Sequence, residues 1–548
     1  MALRSLMHVV RRRSSTAALR RGIPLIGAAA ALPLVAAVAV LALSCTRAEQ
    51  SRPAGLGKPI ASGAVVAVKA SPSGAFVAWL GACSKVTSGI VALGTQSCEL
   101  RVAPTGGAAT GNGGEGLLVA KGVTTLPHGF VWADGQTLLA LESYEHAAGE
   151  GTLVVWDGST RRLADKVRFY AATPDGQRVG WVANGVLSVL DRAGDREPVV
   201  MGDDVATFEF GPPSTAPMVL LARRQSSAGG DLLVLAAGKL TPVATRTAEY
   251  RFSPAGDFAY TVREGATDAL TFARASAPKA AVPVRRNVHS FTFAPDGSAI
   301  AFVADVAPGR QGDLWVARVA GEGARPGAPE KVASGVGEVR WAPRGGALAW
   351  LAEFEPGMRS GALTVRPAPG AAPVQLASKV SAYEFSPDGG AVAFLEHVVQ
   401  GGYSVDLRLA RLGADPRAET VARGVFGFDF APEGDFLYFR DACVQNGESC
   451  DLERIPAAGL APGAKPERLA QAVKSFDFDR RNAERLLLAV QPPGGKPVGI
   501  SVWRAGKLTD VDRGFVPGTG TFLAPDSSRL VYAVQEKGRE GVYLAELK

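Results

Sequence analysis

Apolar and polar residues alternate in short runs along most of this chain, and paired runs are separated by a turn rich in proline and glycine. Residues 291–302 read FTFAPDGSAIAF. Phe291 and Phe293 fall on one face with Thr292 on the other, and beyond the turn Ile300 and Phe302 alternate in the same way. A period of two belongs to a β-strand whose two faces meet different surroundings. The phrase returns as YEFSPDGGAVAF at 383–394 and FDFAPEGDFLYF at 428–439. Within the turn, proline presets φ, Asp or Ser bonds the backbone, and glycine takes the positive φ.

Eleven such turns line up, beginning at Ser71, Trp132, Thr173, Gly211, Ser253, Ala294, Ala342, Ser386, Ala431, Asp479 and Ala524. A third apolar run follows most of them, as in GDLWVARV at 312–319 and GALTVRPA at 361–368, and a short fourth ends as KVASG at 331–335. Four strands repeated every forty to fifty residues predict an all-β chain, a β-propeller of four-stranded blades. The aromatic-x-Ser-Pro-Asp-Gly turn followed by an aliphatic-Ala-Phe strand resembles the WD-type propeller repeats of the TolB family. The resemblance covers residues 57–548 and implies the fold. TolB proper carries an α/β domain before its propeller, which this sequence lacks, so the resemblance does not extend to TolB's own partners.

About eleven repeats exceed the four to eight blades usual in one ring. Two tandem rings, of five and six blades, fit that range; one large ring is the alternative. The last unit stops after its third strand, GVYLAEL at 541–547, whereas KPIASG at 58–63 matches a fourth strand. The N-terminal strand is therefore expected to complete the last blade and hide its open edge.

The formal charge of +7 does not describe the repeats. Residues 1–44 hold six arginines (Arg4, Arg11, Arg12, Arg13, Arg20, Arg21) and no acid, so +1 remains for the rest. That balance gives no basic face for nucleic acid. The basic stretch 1–21, the apolar stretch 23–43 and Ser44-Cys45 are the parts of an export signal. LALSC at 41–45 resembles a bacterial lipobox. That implies a signal peptide over 1–44, a lipidated Cys45 with a flexible tether over 45–58, and the propeller repeats over 59–548. The apolar stretch is also long enough to span a bilayer as a retained anchor. Thr46, where Asp would mark inner-membrane retention, implies the outer membrane. The expected location is the bacterial cell envelope, on the periplasmic face.

Four further cysteines form two local pairs at one place in the repeat, Cys83 with Cys98 and Cys443 with Cys450. The first of each ends the strand after the turn and the second begins the next strand, within disulfide reach in an antiparallel pair. No CxxC and no nearby histidine supports a metal instead. Disulfides require an oxidising compartment, which agrees with export.

Little in the sequence carries chemistry. Gly111, Gly113 and Gly116 match GxGxxG only formally, because a strand-like segment and not a helix follows them. There is neither a P-loop nor a Gly-x-Ser-x-Gly nucleophile. The histidines of the repeats, His128, His146, His289 and His397, are scattered. Asp175, Asp296, Asp388 and Asp526 read as turn caps. Trp132, Trp341, Phe385 and Phe430 read as core between blades. Arg310-Gln311 and residues 353–359 are candidate contact loops. No catalytic, cofactor-binding or metal residue is singled out. The expectation is a non-enzymatic scaffold binding another envelope protein or peptide. The alternatives are a lyase- or lactonase-like propeller enzyme with a central-channel site, and a saccharide or small-ligand binder.

Overall fold

The computed structural model describes residues 57–86, 95–106, 115–192, 197–212, 218–223, 229–236, 239–307, 311–319, 325–355, 360–399, 403–433, 436–444, 449–456, 465–479, 482–492 and 497–547. The chain divides into Met1–Pro53 and Ala54–Lys548, and every described residue lies in the second unit. Cys45, Gly111 and Gly113 fall outside the described residues.

Every regular element among the described residues is a strand, thirty-nine of them, and each pairs antiparallel with its sheet neighbours. Five long strands serve two units apiece: Thr160–Ala172, Lys239–Phe252, Glu330–Trp341, Val374–Phe385 and Glu467–Asp479. Counting these twice groups the strands into eleven four-stranded blades. In chain order, blades 1 to 11 begin at Val65, Phe130, Val167, Val205, Thr247, Val288, Val336, Val380, Gly427, Val473 and Thr521.

One residue makes each of the five handovers. Val167 pairs with Gly151 behind it and with Ala183 ahead of it. Val473 does the same with Cys450 and Val490. Val167, Thr247, Val336, Val380 and Val473 are all fully buried. A left-handed residue precedes most of these handovers, at Lys166, Arg246, Gly335 and Ala472. Such a residue kinks the strand and turns the next side chain into the gap between blades. The register shifts at each of these sites.

Among the described residues the hydrophobic core falls into eleven clusters, each joining two blades consecutive in the chain or joining blade 11 to blade 1. Blade 5 packs on blade 6 through Phe272, Phe291 and Phe302. Blade 11 packs on blade 1 through Val531, Val542, Val77 and Trp79. Two tandem rings would instead need blade 5 to return to blade 1 and blade 6 to meet blade 11. The interfaces follow the other arrangement, a single large ring in which neighbouring sheets bury each other's apolar faces.

The seam is built as the sequence implies. Gly57–Ser62 pairs with Gly541–Glu546, with Lys58 opposite Leu544 and Ser62 opposite Gly541. Ala61 from this strand is buried in the blade 11–blade 1 core. Asp512 of blade 10, its side chain 1% exposed, accepts both a 2.9 Å hydrogen bond from Arg539 and a 2.8 Å bond from the Tyr532 hydroxyl.

Candidate functional site

The first strands of successive blades converge. Lys69 Nζ of blade 1 donates to the Phe130 carbonyl of blade 2 at 2.9 Å, and the Trp132 indole donates back to the Lys69 carbonyl at 3.0 Å. The Thr207 hydroxyl of blade 4 lies 2.8 Å from the Tyr250 hydroxyl of blade 5. The Trp341 indole of blade 7 donates to the Thr292 carbonyl of blade 6 at 3.4 Å. Blades radiate from an axis, so the strands that touch across consecutive blades are the inner ones and surround a central opening.

On these strands one position lies between two core-facing neighbours. In blade 9, Asp429 is exposed between Phe428 and the buried Phe430. In blade 8, Glu384 is half-buried between the buried Tyr383 and Phe385. The equivalent residues are Lys69, Val131, Ala171, Glu209, Arg251, Thr292, Arg340, Asp477 and Thr521. The flanking positions stay apolar while the middle one changes charge and size. Arg251 and Arg340 each pair with the acid two residues earlier on their own strand, Glu249 at 2.6 Å and Glu338 at 2.8 Å. Burial raises the Glu209 carboxyl against the pull of Arg251, and burial lowers the Lys69 ammonium. The rim is thus a charged surface of mixed sign, exposed at most of these positions.

The turn aspartates work on the backbone. Asp175, Asp296, Asp388 and Asp526 accept from the N–H of Gln177, Ser298, Gly390 and Ser528 at 2.9–3.1 Å. Hydrogen bonds to the charged form hold all four carboxyls below their usual range. Phe385 and Phe430 are buried between blades, and Trp132 and Trp341 pack against the neighbouring clusters. Gln311 hydrogen-bonds the Phe354 carbonyl and so ties blade 6 to blade 7. A strand, Leu117–Thr124, follows Gly116 directly.

Both disulfides are present. Cys83–Cys98 spans a Cα–Cα distance of 4.1 Å and Cys443–Cys450 one of 3.9 Å. They occupy equivalent hairpins of blades 1 and 9, and Cys98 and Cys450 are buried.

Two features escape the sequence reading. The first is that His128 and His146 meet around Tyr144, with ring centroids 5.2 and 4.9 Å from it. Burial lowers both histidines, and His146 lowers His128 further. His289 and His397 stand on blades 6 and 8. No group of three or more metal-ligating side chains occurs among the described residues.

The second is an arginine that recurs at the end of third strands. Arg192 in blade 3 reaches the Asp134 carboxylate and donates to the Gly176 carbonyl at 2.9 Å. Arg274 in blade 5 reaches Asp257. In blade 7 the third strand ends at Arg366 opposite Leu348, one step short of the place that Arg274 takes beyond the Phe258–Ala273 pair. The strings FAR at 272–274 and VAR at 316–318 are its trace in the sequence.

No family model and no curated protein matches the chain. Among solved structures it is similar to a eukaryotic initiation factor at 12% identity, covering 66% of this chain and 94% of that one with a TM-score of 0.39. It is also similar to the Dos1 propeller at 13% identity, covering 65% and 96% with a TM-score of 0.33. A third similarity, to the tricorn protease, has 10% identity, covers 76% and 45%, and gives a TM-score of 0.30. The fold is read from the strand pairing itself: this chain is a β-propeller.

Proposed function

We propose that this protein is an exported scaffold, anchored in the cell envelope through a lipid on Cys45, that binds another envelope protein or peptide without catalysing a reaction. The observation that carries the reading is the inner-strand position that varies while its neighbours do not. Lys69, Val131, Ala171, Glu209, Arg251, Thr292, Arg340, Glu384, Asp429, Asp477 and Thr521 share one place in the repeat, yet span both charges, two neutral hydroxyls and two aliphatics. The fold needs the aromatic and aliphatic flanks; it does not need that variety, which suits recognition by a rigid surface. The disulfides agree with an oxidising compartment. The lipobox-like LALSC at 41–45 supports the anchor.

The test is crosslinking in intact cells, detergent extraction, affinity purification and mass spectrometry, with an unrelated tagged propeller exported to the same compartment as control. A stoichiometric envelope partner, weakened by charge reversal at Glu384, Asp429 and Asp477, is the expected result. Repeated recovery of the bait with no partner overturns the reading. Labelling with radioactive palmitate tests the anchor separately, and Cys45→Ser is expected to abolish it.

A further inference from the structure

The outer edge of blade 3 is apolar and open. Its fourth strand, Val199–Gly202, runs four residues and ends the sheet, and no strand among the described residues pairs with its far side. Val200 is 66% exposed, more than any other large apolar side chain among the described residues, and Val199 beside it is 46% exposed. A strand edge presents a row of N–H and C=O groups to any extended chain, and proteins blunt it with charge or proline. Other fourth strands of this protein carry such residues, among them Lys121 in blade 1, Arg161 in blade 2, Lys331 in blade 6 and Lys507 in blade 10. Val199–Gly202 holds neither charge nor proline.

The register sets the two valines on opposite faces. Val199 stands opposite Val189 and Val200 opposite Ser188, and directly opposed residues of an antiparallel pair share a face. Val189 belongs to the core between blades 3 and 4, so Val199 faces blade 4. On that side a cavity of about 530 Å³ lies on the third and fourth strands of blade 4, with Leu233, Leu240, Pro242 and Asp231 in its lining. Leu233 and Leu240 pack in the same cluster as Met201 of the edge strand, so groove and edge adjoin. A fourth strand of four residues leaves this part of blade 4 uncovered.

We propose that this edge and groove take an extended segment of another protein, apolar at alternate positions and flanked by lysine or arginine, which adds to blade 3 as a fifth strand. Such a strand lies about 4.8 Å beyond the edge, and every second side chain faces the groove. Backbone pairing supplies affinity, and the groove selects the side chains. Glu197 before the edge strand, Asp204 after it and Asp231 in the groove are all exposed, which gives basic flanks their complement. Lys239 and Arg246 flank the groove on the blade 4 strand but do not line it. The same acids disfavour a second copy: two edges paired about a two-fold axis set Glu197 of each against the acid that follows the other, and opposed like charges destabilise a strand pair. The site stands on the outer rim, away from the inner strands, so its failure leaves the partner-binding reading above intact.

The probe is a fluorescein-labelled peptide of alternating valine and threonine with a lysine at each end, titrated against the full chain in detergent and read by anisotropy. Saturable binding is expected, together with slower hydrogen exchange at Val199–Gly202. Methylating alternate backbone nitrogens of the peptide should abolish binding. Val200→Lys, at an exposed position that does not threaten folding, should weaken it about tenfold or more. Glu197→Lys with Asp231→Lys should prefer the same peptide ended by glutamate, reversing the order seen with the parent protein. Lack of saturable binding, or binding that methylation and Val200→Lys leave unchanged, overturns the proposal. A concentration-dependent dimer that Val200→Lys dissociates, read by analytical ultracentrifugation, also overturns it, because the edge would then belong to a second copy.

Discussion

The hairpins joining the second and third strands of blades 7 and 9 have the same shape and hold it in different ways. In blade 7 a left-handed Glu353 bulges the second strand, Phe354 follows, and Gly361 is the second residue of the third strand. A Cβ on Gly361 would lie 2.7 Å from the Ala352 carbonyl, so a side chain there needs the backbone to shift. In blade 9 the left-handed residue is Ala442, Cys443 follows, and Cys450 stands at the glycine position, bonded back to Cys443. Blade 2 follows blade 7 with Ser143, Tyr144 and Gly151, and blade 1 follows blade 9 with Ala82, Cys83 and Cys98. One bulge therefore has two solutions: a large residue facing a glycine, or two cysteines whose side chains are consumed by a bond. The seam is a third case. There, blade 11 takes its fourth strand from the other end of the chain, with no covalent link.

These closures are expected to differ in strength, and perturbing each one measures the difference. Deleting residues 57–62 should have the largest effect. It strips five cross-strand residue pairs and bares the Gly541–Glu546 edge, for a loss of about 3–6 kcal/mol at about 1 kcal/mol per hydrogen bond. Urea unfolding reads that loss, and light scattering reads the edge-to-edge association that should follow.

Reduction comes next. Releasing Cys83–Cys98, which spans 15 residues, should cost about 3 kcal/mol, and releasing Cys443–Cys450, which spans 7, about 2.5 kcal/mol in the chain-entropy picture. Hydrogen exchange should confine the loosening to these two hairpins. The double substitution Cys443→Phe with Cys450→Gly transplants the blade 7 solution. It should fold and make blade 9 indifferent to reductant; a variant that fails to fold would show that the two solutions are not interchangeable.

Gly361→Ala isolates the steric half of the comparison. It should cost about 1–3 kcal/mol, because the added methyl meets a backbone carbonyl and the backbone must shift. Equal stability of Gly361→Ala and parent in urea would contradict the close approach.

The smallest effect belongs to the blade 2 hairpin, where His128 and His146 flank Tyr144. Both histidines are held below their ordinary range, so the folded state binds fewer protons than the unfolded one as pH falls through the unfolded value of about 6.5. Stability present above that pH should decline below it until the folded forms also protonate. His128→Gln with His146→Gln should flatten the slope between pH 7 and 5. An unchanged slope would remove the pair from the account.

What the sequence discloses follows from what is local in it. The Ser-Pro-Asp-Gly turns, the alternating aromatic strands and the two cysteine pairs are set by neighbours within about fifteen residues, and each stands where the pattern puts it. The seam was legible because a missing fourth strand at one end matched a spare one at the other. The handover kink was not, because its left-handed residue is Lys166, Arg246 or Ala472 as readily as glycine, and tertiary burial of the next residue overrides that local preference. The order in which blades meet was not legible either: a repeat specifies how a blade packs on a neighbour, not which neighbour closes the circle. The arginines near third-strand ends could be read in the sequence, but their partners, Asp134 for Arg192 and Asp257 for Arg274, depend on turns and strands that only the fold brings together.

The claim on which the site description rests is that eleven blades form one cycle, with inner strands around a single opening. Single-particle cryo-electron microscopy of the detergent-extracted protein tests it most directly. Axial views should show one ring of eleven blades with the N-terminal strand at the outer edge of the last. Two adjacent smaller rings, or an open arc with blades 11 and 1 apart, would contradict it.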